Sequence, residues 1–316
     1  MADPSSTPAR ILQPLQTSTA NPAAPSTTLE ARLDELVALS GREGDRVTAA
    51  MRYALLGGGK RLRPRMLIST AVSLGAEREP ALDPACAVEM VHVASLVLDD
   101  LPSMDDAALR RGRTACHRRH GVATATLAAV ALLNRAYHVL SSAPGIEGTI
   151  RLRLVRSLSR AVSDCGGMVA GQEKDLRATP DAGEVEDLRT LASDKTGALF
   201  TCAVDMGARL GGADDRTARA LRRFARSFGL AFQILDDLAD LEGRRDELGK
   251  DVRQDADKAT FATHLGPVTA RRLAREVAGE SLATLGSLGL EGSELGGVAR
   301  RLHEAAGRVG SELEPC

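Results

Sequence analysis

From residue 27 onward the chain alternates long apolar segments at helical period with short polar or glycine-rich breaks. Thr27 and Glu30 have capping-box spacing, and Leu29, Leu33, Leu36 and Leu39 recur at intervals of three and four, which predicts a helix starting at Thr27. Segments rich in Ala, Leu, Val and Arg follow. They are divided by GREGD at 41–45, LGGGK at 56–60, LGAEREP at 74–80, SSAPG at 141–145, ATPDAG at 178–183 and LGGADD at 210–215. No stretch sustains a two-residue alternation rich in Val, Ile, Thr and aromatics, and no Asn-Gly hairpin signal separates apolar runs. Neither a 20–50-residue repeat nor a heptad seam is present. The pattern predicts an all-α bundle of about ten or more helices as a single domain over 27–316. Gly292–Gly297 reads as a loop and Gly310–Cys316 as a frayed end. Residues 1–26, rich in Pro, Ser, Thr and Ala and poor in charge, read as a disordered tail. A transit peptide is the alternative, weakened by Arg10 being the only basic residue there.

Composition narrows the function classes. With 41 Lys+Arg against 42 Asp+Glu, the net charge of -1 provides no basic excess for a phosphate backbone, so no nucleic-acid partner is expected. Aromatics are 2% and Trp is absent, which removes stacking platforms for single-stranded nucleic acid. The five cysteines are widely spaced without a CxxC pair, no run of eighteen apolar residues occurs, and no secretory leader is visible. These features lead us to expect a reducing, cytoplasmic setting and no transmembrane segment.

Two aspartate clusters carry the candidate chemistry. In EMVHVASLVLDDLPSMDD an apolar helix ends at Asp99 and Asp100, Pro102 disfavours its continuation, and Asp105 and Asp106 follow. Acids at a helix C-terminus oppose the helix dipole, and a bound cation removes that conflict. In FGLAFQILDDLADL, Asp236, Asp237 and Asp240 share one side of a helix opposite Phe228, Ile234, Leu235 and Leu238. Carboxylates unaccompanied by Cys or convergent His suit Mg²⁺; the competing reading is a pair of solvated acidic faces.

Cationic segments form the counterpart. Gly57-Gly58-Gly59-Lys60-Arg61-Leu62-Arg63-Pro64 sets three cations on a glycine-rich turn, with a helix expected to start beyond Pro64, an arrangement suited to a diphosphate and distinct from a Walker loop. Arg110 and Arg111 follow the first acidic cluster. Lys195-Thr196-Gly197 and the run from Gly249 to Lys258 supply further cations. Lysine occurs only at Lys60, Lys174, Lys195, Lys250 and Lys258, each in or beside one of these polar segments, while arginine fills every other basic position. His92 lies two turns before Asp99 on the same helix face, within reach of a ligand held there. His117 and His120 have metal-ligand spacing, but Arg118 and Arg119 between them favour a solvated face.

The ordered series GGGKRLRP, HVASLVLDDLPSMDDAALRRGR, GQEKDL, DKTGALF, FQILDDLADL and GKDVRQDADKAT resembles the trans-isoprenyl diphosphate synthases, most closely the bacterial geranylgeranyl type of carotenoid pathways. The resemblance implies an all-α isoprenoid synthase bundle around a central cavity, usually a homodimer, with two or three Mg²⁺ ions held by Asp99, Asp100, Asp105, Asp236, Asp237 and Asp240. By the same resemblance Arg110, Lys195, Thr196, Gln233 and Lys250 contact the allylic diphosphate or its metals. Lys60, Arg63, His92 and Arg111 form the isopentenyl diphosphate pocket, and Lys258, Gln172 and Asp175 support them. The implied reaction ionises the allylic diphosphate, adds the double bond of isopentenyl diphosphate to the cation and loses a proton, with no nucleophilic side chain required.

In farnesyl-type relatives a Tyr or Phe four or five residues before the first Asp floors the cavity. Here Ala94 and Ser95 stand there, which implies a C20 product, with Val91 or a neighbouring helix ending the tunnel. Ala129-Val130 replaces a frequent Gly-Asp pair, Leu98 a frequent His, and Thr114-Ala115 lacks a frequent Pro. The alternatives are a farnesyl or longer-chain synthase, a class I terpene cyclase, and a non-catalytic regulatory subunit. The intact second Asp-rich motif and the GGGKRLR segment argue against the last two.

Overall fold

The computed structural model describes residues 28–38, 44–178, 184–242 and 259–308. The expected tail over 1–26, the predicted frayed end, Lys250 and Lys258 lie outside these. The described residues are mostly helical, as the periodicity predicted. In chain order the helices are α1 (Leu29–Ala38), α2 (Arg46–Leu55), α3 (Leu62–Ser73), α4 (Leu82–Asp99), α5 (Cys116–His120), α6 (Val122–Ser142), α7 (Gly148–Val162) and α8 (Met168–Arg177). They continue with α9 (Val185–Ala192), a π-helical segment (Ser193–Gly197), α10 (Ala198–Leu210), α11 (Asp215–Glu242), α12 (Phe261–Leu265), α13 (Pro267–Gly286) and α14 (Glu294–Arg308).

Helix α4 is apolar nearly all round and is therefore buried, against α3 and α6 among others. The stretch Glu79–Asp99 is long and apolar enough to cross a membrane, but 78% of its apolar window is buried inside the protein, as befits a core helix. Helix α11 lays its apolar stripe against α10 and α13. Helix α10 joins the two hydrophobic clusters: Leu199, Cys202 and Met206 enter one, and Phe200 and Val204 the other. It runs close to α3 because Gly207 has no side chain; a Cβ there would lie 2.7 Å from the Thr70 Cβ.

Local chemistry moved several expected boundaries. Helix α1 is capped by Thr28, whose Oγ1 accepts from the Ala31 N–H at 3.2 Å, whereas Thr27 and Leu39 lie outside the described residues. Helix α3 starts at Leu62 and not beyond Pro64, because Pro64 occupies the first turn, where its missing N–H is not needed. The predicted loop over Gly292–Gly297 is helical from Glu294: Gly296 passes so close to the Glu291 and Leu290 carbonyls that only a residue without a side chain fits. The bundle also carries a small antiparallel hairpin, β1 (Leu109–Arg110) with β2 (Arg113–Thr114). Arg111 (φ 54°) and Gly112 (φ 72°) form its turn, both in the left-handed region as a tight two-residue hairpin requires.

Candidate functional site

The end of α4, the loop after it, the β-hairpin, the start of α3, the π segment and the C-terminal half of α11 supply the polar residues of the site. Asp99 is the last residue of α4, and its carbonyl accepts from the Asp105 N–H at 2.9 Å, folding the loop back over the helix end. The two carboxylates of the DD pair differ. Asp100 is 2% exposed and accepts from Arg110 Nε at 2.9 Å, so it braces the hairpin. Asp99 is half-buried; burial, together with the charges of Asp105 and Asp100, pushes it up to about 6 despite opposing pulls from Lys195 and Arg110. A cation supplied to this loop would favour its ionised form.

The second motif divides in the same way. Asp237 and Asp240 are buried, against the competing reading of a solvated acidic face, while Asp236 is exposed. Asp237 accepts from Gln233 Nε2 at 2.7 Å and from the Phe261 N–H at 3.0 Å, tying α11 to the start of α12. Asp236 lies within electrostatic reach of Arg63.

That loop is shaped by left-handed residues at Gly58, Gly59 and Arg61. Arg61 is buried and structural: it donates to Glu30 at 2.7 Å, to Glu89 at 2.6 Å and to the Leu55 carbonyl at 2.7 Å. Arg63 stacks 4.3 Å over the Phe200 ring and reaches His92 Nε2 at 3.4 Å; its buried Nε has no hydrogen-bond partner among the described residues. Burial pulls Arg63 down to about 10 and His92 well below its usual range, so the imidazole is neutral near Arg63, Arg111, Arg110 and Arg61. Arg111 bonds the Gly58 carbonyl from the tip of the hairpin and approaches Glu89 at 3.9 Å. Arg63, His92 and Arg111 thus form one electropositive recess, with exposed Lys60 beside it in the sequence.

On the third side, the π segment presents Lys195 and Thr196. Thr196 Oγ1 donates to Gln233 Oε1 at 2.5 Å, and Lys195 Nζ pairs with Asp175 at 2.7 Å. Gln172 touches the Met104 sulfur at 3.7 Å, joining α8 to the first aspartate loop. Of the expected floor residues, Ser95 lies on the α4 face shared by His92 and Asp99, one turn before Asp99. Ala94 and Val91 are buried in the core.

Among the described residues no three His, Cys, Asp or Glu side chains gather closely enough to hold an ion by themselves. The donor set still fits Mg²⁺, which retains waters and needs only one or two carboxylates when phosphate oxygens complete its shell. His117 is buried, not solvated; it stands 3.6 Å from Asp106, and His120 packs on the Tyr53 ring. Sequence reading missed Glu30, Glu89 and Asp194. For Glu89 a signal was present, since an acid in the middle of an apolar helix requires a cationic partner.

Comparison with known proteins gives consistent results. Residues 45–270 match the family model described as polyprenyl synthetase. The chain is 44% identical over 241 residues to a geranylgeranyl diphosphate synthase of Pantoea ananas, covering 76% of this chain and 78% of that protein. It is 43% identical over 216 residues to a farnesyl diphosphate synthase of Geobacillus stearothermophilus, covering 67% and 72%. The fold is similar to the crystal structure of a Helicobacter pylori geranyltransferase complexed with magnesium and isoprenyl diphosphate, with a TM-score of 0.74, 26% identity, and coverage of 92% of this chain and 99% of that one.

Proposed function

The chain belongs to the polyprenyl synthetase family and is a trans-prenyl diphosphate synthase, and from that premise we propose that it condenses isopentenyl diphosphate with farnesyl diphosphate to give the C20 product geranylgeranyl diphosphate, as a Mg²⁺-dependent homodimeric enzyme of carotenoid synthesis. The carrying observation is that each Asp-rich motif has an acid within electrostatic reach of a separate set of cations. Asp99 interacts with Lys195 and Arg110, and Asp236 with Arg63.

Asp99, Asp105 and Asp236 would hold Mg²⁺, which would supply charge neutralisation for the leaving diphosphate. Lys195, Thr196 and Arg110 orient the allylic diphosphate so that its departing oxygens meet fixed positive charge. Arg63, Arg111 and Lys60 hold the second diphosphate, and neutral His92 donates or accepts a hydrogen bond without adding charge. Asp100 holds the hairpin that carries Arg110, and Asp237 ties α11 to the start of α12. Two diphosphate sites, rather than one, favour a condensing synthase over a cyclase.

The small Ser95 one turn before Asp99 supports room for a C20 chain. Exposed Leu127 (56%) and Val130 (58%) on α6 and Leu152 (59%) on α7 are apolar side chains that a second copy of the chain would cover. The test is purified protein with Mg²⁺, labelled isopentenyl diphosphate and farnesyl diphosphate, with products resolved by length. A C20 product, absent in Asp236→Ala, is expected; a C15 or longer product overturns the chain-length assignment, and no condensation overturns the reaction.

A further inference from the structure

Helix α8 and the π segment are joined by two ion pairs in a crossed arrangement. Lys174 Nζ pairs with Asp194 at 2.7 Å, and Lys195 Nζ pairs with Asp175 at 2.7 Å. Consecutive residues Lys174-Asp175 on α8 therefore face consecutive residues Asp194-Lys195, with each charge meeting its opposite. Both acids are well covered, with side-chain exposures of 12% for Asp194 and 14% for Asp175, so neither pair is a loose surface contact. The backbones also touch: a Cβ on Gly171 would lie 2.6 Å from the Lys195 Cα and 2.8 Å from the Asp194 carbonyl carbon.

The two pairs carry different duties. Lys195 acts on Asp99 across the site, and an ammonium that serves a diphosphate there must share or surrender its bond to Asp175. That exchange removes one of the two charged ties between α8 and the π segment. Lys174 and Asp194 contribute the other tie, and neither has a charged partner in the aspartate loops. A π segment is an irregular turn that the i→i+4 ladder does not hold rigid, so a lateral anchor sets where its side chains project. Lys174 is also one of five lysines in a chain that uses arginine at every other basic position. The other four stand at positions attributed to the substrate sites, which leaves this one to be explained.

We propose that Lys174 and Asp194 are a positioning pair: their bond fixes the π segment on α8 so that Lys195 passes from Asp175 to the allylic diphosphate without its backbone shifting. The inference rests on the prenyltransferase reading of the site. It predicts an effect confined to the allylic substrate, because the recess of Arg63, His92 and Arg111 is built on α3, α4 and the hairpin.

The test is steady-state kinetics with both substrates varied, for Asp194→Asn, Lys174→Met, the double variant and Lys174→Arg, with thermal melting as a check of folding. Asp194→Asn is nearly isosteric, and Lys174 has a side-chain exposure of 44%, so its replacement leaves the fold intact. Each single variant is expected to raise KM for the allylic diphosphate about fivefold and leave that for isopentenyl diphosphate within about twofold. The double variant should be no worse than either single one, and Lys174→Arg should behave as wild type. Unchanged KM values, equal rises for both substrates, or additive losses in the double variant overturn the pair's role. Wild-type protein that fails to condense at all overturns the functional reading and this inference with it.

Discussion

The fit between α8 and the π segment makes Gly171→Ala an informative perturbation. The added methyl would meet backbone, not flexible side chain: it would stand 2.6 Å from the Lys195 Cα and 2.8 Å from the Asp194 carbonyl carbon. Ordinary carbon–carbon contact is about 3.5 Å, so the two elements must part by about 1 Å. Overpacking of this kind costs about 1–3 kcal/mol, which corresponds to a fall in melting temperature of roughly 2–6 °C for a chain of this size. The kinetic effect is larger, because the displaced residues are those that present Lys195 and Thr196. A misplacement of about 1 Å lowers rates by about 100-fold. Circular-dichroism melts and steady-state assays with farnesyl and isopentenyl diphosphates measure both. A variant that melts lower yet keeps wild-type kcat and allylic KM would refute the link between this packing and catalysis. One that is unchanged in every respect would refute the packing itself.

Two further expectations follow from other parts of the molecule. Asp205 on α10 is buried, which alone would raise its pKa, but hydrogen bonds from Arg209 at 2.8 Å, Ser157 at 2.8 Å and Arg222 at 2.8 Å outweigh burial and hold it below the usual carboxylate range. Its contribution is therefore fully present above a pH of about 4 and is lost as pH falls through the lower folded value, so Asp205→Asn should destabilise by about 2–3 kcal/mol at pH 7 and progressively less in urea melts below pH 4. Ser95→Phe places a ring one turn before Asp99 and should move the main product from C20 to C15; an unchanged C20 product would show that the floor lies elsewhere.

The candidate site residues were legible because aspartate clusters and scarce lysines stand out against an Ala, Leu and Arg background. Helical periodicity likewise gave the all-α class. What sequence could not resolve was which member of each cluster faces the site. Asp99 and Asp100 are equivalent by spacing, and only the fold shows that Asp100 is the one paired with Arg110, brought back by the hairpin. Asp236 and Asp237 separate for the same kind of reason, since Asp237 is claimed by the Phe261 N–H. The hairpin itself was missed because two-residue strands leave no alternation to detect, and an Arg-Gly turn resembles any polar break. Glu30, Glu89 and Asp194 act through partners 31, 28 and 20 residues away, and such separations exceed what local pattern registers.

The central claim is that Asp99 and Asp236, on separate helices, act together on one allylic diphosphate. The direct measurement is the single-turnover condensation rate at saturating Mg²⁺ for Asp99→Asn, Asp236→Asn and the double variant. If the two carboxylates work as a unit, each single variant should lose most of the rate and the double variant should lose little more. Single losses that multiply in the double variant, or an Asp236→Asn enzyme with wild-type rate, would contradict the account.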